Sequence, residues 1–137
     1  MPTHDKLFTL EEANALIPSL EALLTRIQIQ YVKIEEILST LREDTPPERV
    51  EQHLHDHPEI RPLFDEIQRC VAAIEETGAI FKGVELGLID FPWLNGDEVA
   101  LLCYQAGEKE IRWWHSMEGG FSARRPLPGA GGQPQWN

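Results

Sequence analysis

From Ala13 to Leu41 apolar residues recur at spacings of three and four: Ala13, Leu16, Ile17, Leu20, Leu23, Leu24, Ile27, Tyr31, Ile34, Ile37, Leu38 and Leu41. Such spacing keeps one stripe of a helix facing a partner, so it predicts one long amphipathic helix over 8–42. The start is marked by Thr9-Leu10-Glu11-Glu12, a hydroxyl followed three residues later by a carboxylate, which forms a capping box for the first free N–H groups. Phe8 and Ala13 are placed to form the accompanying staple. Pro18 lies inside the pattern, removing one backbone bond and crowding the carbonyl of Asn14, so a kink or a broken first segment is expected there.

A second stripe, Ile60, Leu63, Phe64, Ile67, Cys70, Val71 and Ile74, predicts another long helix over 58–77, with Gly78 as its stop. Between the two, Glu43 to Pro47 reads as a connector and Pro47 to Leu54 as a short helix with proline in its first turn. Two long stripes joined by a short segment fold most simply as an antiparallel helical hairpin. Two helices alone bury too little, so the rest of the stripes must meet the C-terminal strands, a second copy of the chain, or both. A homodimer is therefore expected.

After Gly78 the period changes. Ala79–Lys82 and Leu88–Phe91 read as one β-hairpin ended by Pro92, and Val99–Tyr104 with Glu110–His115 as a second with Gly107 in its turn. The fold class is α+β, a long helical hairpin packed against short antiparallel β-hairpins over 79–115. Alternation puts Ile111, Trp113 and His115 on one face of the last strand, and the Ile111 face is expected inside. From Pro128 to Asn137 glycine and proline dominate, which predicts a flexible tail after a single domain spanning 1–127.

A chain of 137 residues with 42% hydrophobic content is long enough to bury a core without staples. Its formal net charge of −11 repels phosphates and anionic lipid, which argues against nucleic-acid and membrane partners and for cations. Two cysteines make no disulfide framework, and the N-terminus lacks the basic and apolar regions of a signal peptide. A reduced, cytoplasmic setting is expected.

The entry Phe8-Thr9-Leu10-Glu11-Glu12-Ala13 with Leu16-Ile17-Pro18, then Gly87-Leu88-Ile89-Asp90-Phe91-Pro92, Leu102-Cys103-Tyr104, Glu108, Trp114-His115, and Gly120-Phe121 with Arg124, resembles a small prokaryotic family of domain-of-unknown-function proteins sometimes described as metal-binding. The resemblance runs nearly the whole chain to Leu127. It implies a fold and a metal, and no reaction. Tyr104 stands where the resemblance leads one to expect tryptophan, and the tract His53-Leu54-His55-Asp56-His57 lies outside the pattern.

Chemistry gathers in the second half. His115 is a candidate metal ligand on a rigid strand, set against the plainer role of a half-buried histidine bonded to backbone. Asp90 lies between Ile89 and Phe91 and so points to the face opposite theirs, where an enclosed carboxylate demands a cation, arginine or backbone donors. Glu118, three residues after His115, and Glu75, flanking the stripe of the second helix, complete the candidate ligand set; Glu35 has the equivalent place on the first helix but reads as a solvated flank. Cys103 reads as a buried, inert thiol, because no second thiol stands at ligand spacing. Arg124 is placed to hold an anion or to bridge internally to Asp90 or Glu108. Zinc, manganese, iron and nickel all suit a site of carboxylates with one histidine. Two functions follow: a divalent-metal-binding domain, in which metal-activated water is the least demanding chemistry, or a non-enzymatic dimeric interaction module whose polar cluster locks strands to helices.

Overall fold

The computed structural model describes residues 6–128, without the side chain of His55. The expected tail falls almost wholly outside them, as does the start of the N-terminus.

The first helix, α1, runs Leu10–Asp44. Its capping box is formed as expected: Glu12 N donates to Thr9 Oγ1 and Thr9 N to Glu12 Oε1, both at 3.0 Å. The expected break at Pro18 does not occur. Pro18 lies on the exposed face of the helix, where the carbonyl it leaves unpaired is free to meet water, and the helix carries on through it. A short helix, α2, spans Pro47–Asp56 with Pro47 at its first position, and α3 spans Ile60–Glu76. The α1 and α3 helices pack together as the predicted hairpin. Arg26 of α1 reaches across to Glu66, its Nε donating at 2.8 Å, and Arg69 bonds the other oxygen of that carboxylate. Gly78 ends α3 at φ +100°, a conformation that side chains resist.

The strands form one five-stranded antiparallel sheet in simple chain order: β1 Ile80–Gly83, β2 Leu88–Asn95, β3 Glu98–Gln105, β4 Trp113–Ser116 and β5 Arg125–Pro126. This joins what the sequence suggested were two separate hairpins. Pro92 does not end β2 but sits within it, opposite Leu101 of β3. The paired part of β1 reaches only as far as Asp90, so proline's missing N–H spoils no ladder on that side, and the Pro92 carbonyl accepts from Phe8 N at 2.7 Å. Asn95 and Glu98 then pair around a tight turn whose Gly96 has φ +66°.

One face of the sheet, Ile89 and Phe91 with Leu102 and Tyr104, closes the core over Ala13, Leu20, Leu24 and Ile27 of α1 and Cys70 and Ile74 of α3. Each large aliphatic or aromatic side chain fully enclosed there contributes about 1.5–3 kcal/mol. Phe8 joins them, edge-on to Phe91 at 5.2 Å. Tyr104 buries its ring and hands its hydroxyl to Glu21 of α1, which also accepts from Gly107 N at 3.1 Å. Among the described residues no helix is long and apolar enough to cross a membrane.

Candidate metal centre

Strand alternation sends Asp90 of β2 away from Ile89 and Phe91, onto the sheet face turned from the helices, as its sequence position implied. Register does the rest. Asp90 faces Cys103 on β3, Cys103 faces Trp113 on β4, and Leu101 faces His115. Cys103 and His115 are thus diagonal neighbours on that same face, and a ligand atom from each of Asp90, Cys103 and His115 lies within 4.8 Å of the others. The expectation that His115 shares an inward face with Ile111 is corrected. β4 begins only at Trp113, so alternation does not carry back to Ile111, which is in the helix-side core with its N–H on Asn14 Oδ1 at 2.8 Å.

All three side chains are enclosed, with Asp90 2%, Cys103 1% and His115 3% exposed. The loop after β4 packs against His115: a Cβ added at Gly119 would stand 3.6 Å from that of His115 and 3.2 Å from that of Ala123. His115 Nδ1 lies 2.8 Å from the Ser116 carbonyl oxygen, which can only accept, so Nδ1 carries a proton. Nε2 faces Asp90 Oδ2 at 3.0 Å. Two lone pairs would repel there, so the gap holds a proton, belonging either to an imidazolium beside a carboxylate or to a carboxylic acid beside a neutral ring. Burial pushes the Asp90 carboxyl up from its ordinary range, against the pull of His115 and of Lys82, whose ammonium is 3.9 Å away. Burial, reinforced by the Asp90 charge, pushes the Cys103 thiol up to about 12.

Arg124 takes the internal bridge to Glu108, at 2.8 and 3.0 Å to its two oxygens, and also donates to the Cys103 carbonyl at 3.2 Å. Its guanidinium lies between the rings of Trp113 and Phe121, at 5.0 and 4.8 Å. Glu75 is exposed and accepts from Phe81 N at 3.2 Å, steadying the start of β1. Glu118 is exposed on the loop after β4, outside the group of three donors. In the histidine tract, His53 Nδ1 faces the Arg49 carbonyl within α2 and His57 Nδ1 accepts from Glu59 N.

Cys103 is the member that sequence reading set aside. The signal lay in Gly96-Asp97, a two-residue hairpin turn with glycine first, which fixes β3 against β2 and sets Cys103 opposite Asp90.

The fold and this group define a class: an α+β protein whose helical hairpin backs an antiparallel sheet that carries a buried Asp–Cys–His cluster on its far face. Residues 6–127 match the model of a family described as an uncharacterized conserved protein, DUF2203, and the chain belongs to that family. No curated protein and no solved structure matches it.

Proposed function

We propose that this chain binds a divalent transition-metal ion through Asp90, Cys103 and His115. The observation that carries this reading is the bond from His115 Nδ1–H to the Ser116 carbonyl, at 2.8 Å. It fixes the ring and aims Nε2 at a carboxylate oxygen with a thiol beside it, the outer-sphere arrangement that orients metal-bound histidines. The donors fit. Ligand atoms around a tetrahedral zinc ion stand about 3.4 Å apart, so the 3.0 Å between Nε2 and Oδ2 opens by only a few tenths of an ångström as an ion takes the proton's place. An oxygen, a nitrogen and a sulfur donor favour zinc, iron or nickel over manganese.

Enclosure suits a closed, structural or regulatory ion, and the fourth position falls to water or to Glu118 on the loop after β4. A second reading rests on a separate observation: Asp90 already has His115 and Lys82 for partners, so the cluster also works as a hydrogen-bonded lock between β2 and β4.

Elemental mass spectrometry on untagged protein, beside a chelator-treated control and the His115→Ala and Cys103→Ser variants, separates the two. Stoichiometric metal in the parent, lost in both variants, supports the centre. No metal, and no thermal shift on adding zinc, iron, nickel or manganese, leaves the lock.

A further inference from the structure

β1 and β2 slip register between Phe81 and Gly83. Ile80 faces Asp90 and Phe81 faces Ile89, but Gly83 rather than Lys82 faces Leu88. Lys82 is therefore the extra residue of a bulge, a device that re-aims a side chain. Its ammonium comes to 3.9 Å from Asp90 Oδ2, and its side chain is 44% exposed against 3% for Asp90. Lys82 is thus a point at which the enclosed cluster meets solvent. Arg124, whose guanidinium bonds the Cys103 carbonyl, is committed to that carbonyl and to Glu108.

We infer that Lys82 is a built-in counter-ion to Asp90 and the group an incoming metal ion must displace, so that it sets the metal affinity of the centre. The inference rests on the metal-centre reading above. In the metal-free protein the ammonium offsets part of the cost of an enclosed carboxylate. A divalent ion held by Asp90, Cys103 and His115 places two positive charges within a few ångströms of that ammonium. The four-carbon stem then lets Lys82 swing its charge into water. Ions that gain little from sulfur and nitrogen donors, magnesium and calcium among them, recover too little on binding to displace it.

Lys82→Met keeps most of the stem and removes the charge, whereas Lys82→Arg keeps the charge. Zinc is titrated into the full chain in competition with a chromophoric chelator, with Cys103→Ser reporting binding elsewhere on the molecule, and each protein is melted in excess chelator. The expected result is about tenfold tighter zinc binding by Lys82→Met, with Lys82→Arg near the parent. Lys82→Met should also melt lower than the parent when metal is withheld. Parent binding with Lys82→Met equal or weaker overturns the role of Lys82 and leaves the metal centre standing. Binding by Lys82→Met alone upholds the inference in its strongest form, and binding by neither overturns both readings.

Discussion

His115 Nε2 meets Asp90 Oδ2 at 3.0 Å although their strands are not neighbours: β3 runs between them. The pair therefore ties β2 to β4 across β3. Removing His115 leaves the enclosed Asp90 with no hydrogen-bond partner from β4 and only the half-exposed ammonium of Lys82, 3.9 Å away, against its charge. His115→Ala is expected to cost about 3 kcal/mol of stability in urea unfolding without metal. Asp90→Asn keeps an acceptor for Nε2–H without a buried charge and should cost much less. In the double variant the His115→Ala penalty should shrink, because no carboxylate is left stranded.

Two carboxylates should pull the pH dependence of stability in opposite directions. Glu66, held below the usual range first by its bond to Arg26 and then by Arg69, stabilises above its unfolded pKa, and that contribution is lost as pH falls through its folded pKa. Asp90 is raised, chiefly by burial, so its contribution is present below its unfolded pKa and is lost as pH rises through its folded value. Unfolding measured from pH 3 upward should show Glu66→Gln losing stability relative to the parent as pH rises, with little difference in acid. Asp90→Asn should gain on the parent over the window above the ordinary aspartate range. Parallel curves for all three proteins would count against both assignments.

Metal uptake should release protons. With the Cys103 thiol pushed up to about 12, a thiolate ligand forms only by losing its proton to solvent across the whole neutral range. Zinc affinity should therefore rise about tenfold or more per pH unit. Calorimetric titration in two buffers of different ionisation enthalpy counts the protons directly, and Cys103→Ser should release at least one fewer.

Gly78→Ala tests the stop of α3. Gly78 has φ +100°, and an added Cβ would lie 2.7 Å from Lys6 Cγ. Left-handed backbone alone costs about 1–2 kcal/mol for a residue with a side chain. The melting temperature should fall whether or not metal is present.

The helical half was legible because its signals are local. The Thr9 box, the stripes and Gly78 each constrain the residues beside them, and α1 and α3 formed nearly where the spacing put them. The strands were harder. Pro92 reads as a terminator unless the bond from Phe8 N to its carbonyl is known, and that bond joins residues far apart in the chain. Asp90 could be placed on the face opposite Ile89 by alternation alone, and its pairing with His115 followed that lead. Cys103 could not be assigned a facing partner until the turn at Gly96 fixed the register. Lys82 gave no sign, since a bulge depends on how two strands fit and not on either sequence by itself.

The position of Phe8 has a consequence for how the chain is made. It sits before α1, yet its backbone bonds the Pro92 carbonyl and its ring packs on Phe91. On a ribosome the helical hairpin emerges before the sheet, with the apolar side destined for the sheet still bare, whereas each strand need only find its immediate predecessor. The sheet can zip up as it appears. The hairpin must wait for it, which makes the interval between the synthesis of α3 and that of β3 the time when a newborn chain most needs shelter from its neighbours.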